Sequence, residues 1–259
     1  MRAATAIEAA LPEYLTSTTR IAQNPLRRQP LTYPAIVDEC LGAFLGYLIG
    51  DGHISAVKRT IGLTTGDEPQ ADHFIHLTEA LFNLTPRKAW DATKWRVKFS
   101  SRNVQDFLTH LGLHTGFAAR KKDVPACVLR SPKPVVVAFL RALYDCDGYA
   151  GNAGVILSTA SVEMSKTVQL LLLNFGVLST RRLNKDGCWH VHTLGRSAEV
   201  FQREIGFGLQ RKQRLVLAYG FTVFFVPHGE NARRDGFADS RNFHFNIHGF
   251  AFFKLRKPL

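Results

Sequence analysis

The chain has 259 residues, 46% of them hydrophobic, enough for one large domain or two modest ones around a sizeable core. Lysine and arginine number 33 against 21 acids, a formal charge of +12, which points to a polyanionic partner, nucleic acid first and a membrane surface second. No apolar run approaches the ~18 residues of a membrane span; the N-terminus shows no secretory core; and Cys40, Cys127, Cys146 and Cys188 form no C-x-x-C pair, which argues against structural zinc and for reduced thiols in a cytoplasmic, nucleoid or organelle-matrix setting.

Residues 1–36 read as an arm: a short helix over Ala3–Tyr14 broken at Pro12, then Pro25, Pro30 and Pro34 with Arg27 and Arg28 among them. Val37–Gly50 is predicted as an apolar helix, with Asp38 and Glu39 suited to its N-terminal dipole. After Asp51-Gly52 comes a β-ribbon, His53–Lys58 and Thr60–Thr65, then a helix over Pro69–Leu81 with Phe74, Leu77 and Leu81 on one face. Leu84–Trp90 and Lys94–Phe99 make a second ribbon. In its second strand Trp95, Val97 and Phe99 alternate with Lys94, Arg96 and Lys98, so the first set packs on helices and the second faces outward. A helix over Val104–Leu111 ends this half at residue 123.

Residues 124–134 form a linker rich in proline and basic residues, preceded by Arg120, Lys121 and Lys122. Pro134 stands at the mouth of the next helix, a permitted place for it. The second half, 135–219, repeats the first. At an offset of 94, Leu63-Thr-Thr meets Leu157-Ser-Thr, Leu84 meets Leu178, and Arg87-Lys88 meets Arg181-Arg182. The same offset brings Trp95 to Trp189, Phe107 to Phe201 and Leu111-Gly-Leu to Ile205-Gly-Phe, with no gap expected across this stretch. The fold class is therefore α+β, two pseudo-symmetric αββαββα halves. Residues 220–259 lie outside the duplication and hold nine of the 19 phenylalanines. There Phe243, Phe245 and Ile247 alternate with polar residues as in a half-buried strand, and Arg233, Arg234, Arg241, Lys254, Arg256 and Lys257 add charge.

The halves are organised around two runs, Phe44–Gly52 (FLGYLIGDG) and Leu140–Gly148 (LRALYDCDG), which align at an offset of 96. Gly42, Gly46 and Gly50 fall on Ala138, Ala142 and Cys146. Small residues at every fourth position line one helix face and let two backbones approach closely. Gly42, Gly46, Ala138 and Ala142 are the expected interface, which would bring Asp51 and Asp147 to one spot.

These paired runs resemble the dodecapeptide motifs of the LAGLIDADG homing endonucleases, over about residues 37–217. Ile49 departs from the motif where its first acid stands, and Arg141 occupies a usually small or apolar position. The resemblance implies interface helices under a DNA-binding saddle of β-sheets, with Asp51 and Asp147 as metal-binding catalytic acids. It also implies metal contacts from the carbonyls of Gly50 and Cys146. Lys122-Asp-Val-Pro matches the family's K-x-[IV]-P block, which makes Lys122 a catalytic basic residue; the duplication offers Lys212 as its counterpart, with Arg211 or Gln210 as substitutes.

The chemistry fits phosphodiester hydrolysis with Mg²⁺, replaceable by Mn²⁺ or by a non-catalytic Ca²⁺. Double-stranded DNA is the expected partner of a monomer that reads a long asymmetric site through two diverged sheets. From the first half, Lys58, Arg59, Arg87, Lys88, Lys94, Arg96 and Lys98 are expected to face it; from the second, Arg181, Arg182, Lys185, His190 and His192. The resemblance gives His53, next to Asp51-Gly52, no role as a base. A non-cleaving DNA-binding regulator or an RNA maturase on the same scaffold is the alternative.

Overall fold

In the computed structural model, residues 30–55, 57–113, 119–151, 154–214, 243–245 and 251–253 are described, so most of the arm and much of the C-terminal extension lie outside them, Ile247 and the extension's basic residues included. Two compact units are present, Met1–Gly220 and Phe221–Leu259. The described part of the second is a two-stranded antiparallel ribbon, Phe243–Phe245 with Ala251–Phe253. Among the described residues no helix is long and apolar enough to cross a membrane.

The first unit holds both halves. One runs α1 (Glu39–Gly50), β1 (Gly52–Ser55), β2 (Thr60–Thr65), α2 (Glu68–Phe82), β3 (Arg87–Asp91), β4 (Lys94–Ser100) and α3 (Arg102–His110). A 3-10 turn at Ala119–Lys121 and a short helix α4 (Ala126–Leu129) follow, the latter inside the stretch read as the linker. The other half runs α5 (Lys133–Asp147), β5 (Gly148–Gly151), β6 (Gly154–Thr159), α6 (Val162–Asn174), β7 (Thr180–Leu183), β8 (Trp189–Thr193) and α7 (Arg196–Glu204). Both sheets are antiparallel, in the orders β1-β2-β4-β3 and β5-β6-β8-β7. This is the α+β, αββαββα duplication expected from the sequence.

The core is built on α1 and α5. Asp38 caps α1, its Oδ1 accepting from Leu41 N at 2.8 Å. Every residue from Leu41 to Gly50 is buried, as suits a helix enclosed on all sides. Phe44 stacks on Phe74 of α2 with ring centroids 5.1 Å apart and meets Phe82 edge-on. In the second half Tyr144 packs on Phe201 and Phe207.

The offset of 94 does not hold without a gap. The helix caps Asp67 and Ser161 keep it, but the left-handed corner residues after α2 and α6, Asn83 (φ 53°) and Gly176 (φ 74°), lie 93 apart. Buried Leu84 therefore corresponds to buried Val177, while Leu178 is exposed. The hairpin turn restores the register: four residues separate the paired Trp90 and Trp95, and five separate the paired Leu183 and Trp189. The first ribbon also turns earlier than expected, at Val57–Arg59, with Arg59 at φ 49°.

Candidate functional site

Parallel packing of α1 on α5 leaves no room for side chains along the seam. A Cβ on Gly46 would strike the Phe139 carbonyl oxygen and stand 2.8 Å from Ala142 Cβ; one on Gly50 would stand 2.7 Å from Cys146 Sγ. Gly42 meets Val135 instead of Ala138, its would-be Cβ 2.8 Å from the Val135 oxygen. A two-fold pairs equivalent residues with each other only close to the axis. Away from it, the mirrored contact moves Ala138 toward Glu39, and both border a surface depression with Val137 and Arg141. Ala138 is thus only half-buried, a correction to the expected seam.

Because the helices run the same way, Asp51 and Asp147 emerge side by side at their C-terminal ends. Asp51 terminates α1, its N–H donating to Tyr47 O at 3.2 Å, and is open to solvent; Asp147 is half-buried, with Oδ2 3.9 Å from where a Gly50 Cβ would be. Desolvation by the packed helix ends, more than anything else, raises both carboxyls, Asp51 even with one side open to water. Asp147 is pushed up to about 6, next by the Asp51 charge, against the opposing pull of Lys122 and Lys212.

The two lysines reach the same helix ends. Lys122 Nζ donates to Gly50 O at 2.6 Å. Lys212, buried within the turn of 210–214, donates to Tyr144 O at 3.1 Å and to Asp145 O and Gly148 O at 2.6 Å each. Burial lowers its pKa. Each lysine segment is also tied to the opposite half by equivalent helix caps. Ser161 Oγ donates to Lys122 O at 2.6 Å, and Arg211 forms a two-pronged ion pair with Asp67 at 2.7 Å. Arg211 is thereby engaged away from the acids, which leaves Lys212 as the residue placed opposite Lys122.

Other groups at this joint carry no signal in the duplication. Asp145, equivalent to Ile49, is buried at 2% exposure; its Oδ1 accepts from Gly208 N and Leu209 N at 3.0 Å, and its Oδ2 from Tyr47 OH at 3.3 Å. It fixes the loop that leads to Lys212. Its signal was an acid inside an apolar helix. Gln70, equivalent to Met164, is buried between Thr65 and Cys146, its Nε2 donating to Cys146 Sγ at 3.0 Å.

Oxygen ligands from two carboxylates suit a hard divalent cation, and the mutual repulsion at Asp147 is what such a cation would relieve. Among the described residues no cluster of three or more His, Cys, Asp or Glu is placed to hold a metal, so water and substrate oxygens would complete the shell. The Gly50 carbonyl is already gripped by Lys122, whereas Lys212 takes the carbonyls of Asp145 and Gly148 and not that of Cys146.

The free sheet faces differ. In the first sheet His53, Gly62, Lys98 and Arg87 form one cross-strand row, Arg96 and Lys94 flank it, and Arg96 pairs with Asp91 at 2.8 Å. The His53 ring lies over Gly62, with Cε1 2.7 Å from a would-be Cβ; burial first, then Arg96 and Lys98, lowers its pKa. Lys58 and Arg59 are exposed in the ribbon turn. In the second sheet His190 and His192 replace Arg96 and Lys98, Arg182 stands across from His190, and Lys185 lies in the turn.

Lys88 and Arg181 do not face outward as expected. They pair with buried Val97 and Val191, which puts them on the helical side of each sheet. Lys88 bonds Glu68 at 2.7 Å and Asp72 at 2.5 Å and lies over Trp95. Arg181 bonds Gln169 at 3.0 Å and Ser165 at 2.9 Å and lies over Trp189. Neighbours on a strand face opposite ways, so only one of Arg87 and Lys88 can point outward; the one-residue slip then makes Arg181, and not Arg182, the counterpart of Lys88.

Paired four-stranded sheets on a parallel helix seam define a duplicated α+β protein with a two-acid joint. Residues 134–206, within the second half, match the model of the LAGLIDADG-like domain. Among solved structures, one of mesophilic variants of the homing endonuclease I-DmoI shares the fold at TM-score 0.54 and 18% identity, covering 66% of this chain and 96% of that one. Full-length DUF199/WhiA from Thermatoga maritima does so at TM-score 0.52 and 14% identity, covering 75% and 63%.

Curated relatives are matched only in part. The replication factor C small subunit of Methanocaldococcus jannaschii is 35% identical over 189 residues, 70% of this chain but 10% of that protein. The glutamine–fructose-6-phosphate aminotransferase of the same organism is 27% identical over 197 residues, 71% of this chain and 18% of that protein. The replicative DNA helicase DnaB of Rhodothermus marinus is 29% identical over 233 residues, 81% and 24%.

Proposed function

We propose that this protein is a sequence-specific DNA endonuclease that hydrolyses both strands of a long asymmetric site with a divalent cation. The observation that carries the reading is the convergence of Asp51 and Asp147 at one joint, each helix end also held by a lysine. A divalent cation, Mg²⁺ first, would supply an activated water and offset phosphate charge there. Asp51 and Asp147 would hold it, and the basic face of Arg87, Arg96 and Lys98 would track the duplex backbone or guanine edges. Related folds have been solved as I-DmoI complexes with target DNA in the presence of magnesium, manganese or calcium.

The curated matches support an origin as a mobile insert. A replication factor subunit, an aminotransferase and a helicase are different proteins, yet each contains a matching segment making up less than a quarter of its length. What they have in common is the segment, as expected of an intein- or intron-borne homing endonuclease.

The test is cleavage selection on a randomised duplex library with Mg²⁺, beside an Asp51→Asn variant and a Ca²⁺ control. Cuts in both strands at one asymmetric site, lost in the variant, are the expected result. Selective binding of duplex without cuts would assign a non-cleaving regulator, and preference for intron RNA a maturase.

The two faces of β3 and β4 give a separate check. Lys98→Ala should weaken duplex binding and lower the salt slope by about 1. Lys88→Ala should leave the slope unchanged and instead lower the thermal midpoint, because its partners are Glu68 and Asp72. Equal slopes for both variants would count against the assigned faces.

A further inference from the structure

Equivalent lysines at the joint are not equivalent in what they can touch. An ammonium has three donors. Lys212 spends three on backbone carbonyls, those of Tyr144, Asp145 and Gly148, and is buried at 6% exposure. Tyr144 and Asp145 lie in the last turn of α5 and Gly148 directly follows it, a place where peptide oxygens run short of helical partners and a cation is favoured. Lys212 is thus a cap on that helix. Lys122 is half-buried and, among the described residues, makes one side-chain hydrogen bond, to Gly50 O.

The surroundings differ in the same sense. The Lys212 loop is fixed by Asp145, through the N–H groups of Gly208 and Leu209, and Asp145 is held in turn by Tyr47. The first half has Ile49 where Asp145 stands, so no carboxylate can anchor the Lys122 loop in that way. Ser161 holds the backbone of Lys122 and Asp123 ties the segment to Thr167, while the Lys122 ammonium keeps its single bond, to Gly50 O.

We infer that the two lysines have different roles: Lys122 presents its ammonium to the scissile phosphate, while Lys212 is a structural clamp that sets the position of Asp147 from within the fold. The inference rests on the nuclease reading and deepens it. Its consequence is unequal dependence of the two strands on these lysines. Lys122 serves one strand directly; the other is cut with no free lysine ammonium at its phosphate.

The experiment combines amine acylation with strand-resolved cleavage. Native protein is treated briefly with an acetylating ester, and Lys122 and Lys212 are followed by peptide mass spectrometry. Lys122 should react at least about tenfold faster, since Lys212 is reached only on local opening. Lys122→Met and Lys212→Met are then compared on a duplex labelled on each strand. Lys122→Met should keep its thermal midpoint and cut one strand about a hundredfold more slowly, giving a nicked product. Lys212→Met should lose thermal midpoint and slow both strands together; Lys212→Arg, keeping the charge, should recover part of the midpoint.

Equal acylation of the two lysines would overturn the assignment. So would loss of one strand's cleavage in Lys212→Met at unchanged midpoint. A wild type that cuts nothing, with Lys212 protected and Lys122 reactive, would remove the nuclease reading and Lys122's substrate role with it, and leave the clamp standing.

Discussion

Replacing Asp147 by Asn is expected to reduce cleavage at least about a thousandfold and, in metal-free protein at neutral pH, to raise stability. The two effects have one cause. Asp147 is pushed up to about 6 by its burial and then by the Asp51 charge, whereas an unfolded aspartate titrates at about 3.9. Between these values the folded state keeps a proton that the unfolded state has released. Stability therefore falls as pH rises from about 4 to about 6 and stays reduced above that. Asp147 still touches water, so the cost at neutral pH is roughly 1–2 kcal/mol rather than the full value of the shift. Asn removes that cost together with the cation ligand.

Thermal melts of both proteins from pH 4 to 8 without metal would show it. The wild type should lose midpoint across the window more than the variant does. Added Mg²⁺ should restore the wild type alone, since a cation bound to the folded state stabilises it in proportion to ln(1 + [L]/Kd). A variant less stable than the wild type at pH 7 without metal would sink the reading of Asp147 as a strained carboxylate.

Gly46→Val should be the most damaging single change in the seam, costing about 3 kcal/mol or more. Even a Cβ at this position strikes the Phe139 carbonyl oxygen and crowds Ala142 Cβ, and both belong to α5 backbone or its stub. Neither can rotate away, so α5 itself must shift, and Asp147 shifts with it. Gly46→Ala meets the same obstacle, but recovers about 1 kcal/mol of helix propensity. Gly66→Ala is the control: nothing lies within 4 Å of its would-be Cβ, and its effect should stay within about 0.5 kcal/mol. Denaturant midpoints of the three variants would rank them, and a Gly46→Val protein as stable as Gly66→Ala would refute the close seam.

The halves, the helix seam and the joint of Asp51 and Asp147 were legible because they rest on periodicity and repetition. A stripe of small residues ending in Asp-Gly, written twice, leaves few packings. Side-chain direction on β3 and β7 was not legible. Arg87-Lys88 and Arg181-Arg182 look alike as dipeptides, and only the corners at Asn83 and Gly176 reveal that their registers differ by one residue. Asp145 escaped as a site residue because its partners, Tyr47 and the N–H groups of Gly208 and Leu209, are distant in sequence. Gln70 escaped because a polar residue near the start of a helix carries no mark of a thiol partner 76 positions away.

The compensated slip between the hairpins bears on how the halves could be recombined. One half lost a residue at the corner before its third strand and gained one in the following turn. Either change alone would have turned the strand over, sending Thr180, the counterpart of Arg87, inward and Arg181, hydrogen-bonded to Gln169 and Ser165, out to solvent. A graft that exchanges β3 alone would recreate that failed intermediate. The transplantable unit is the whole segment from the left-handed corner through the turn, Asn83 to Trp95 for Gly176 to Trp189, which carries both changes together and preserves which side chains each sheet displays.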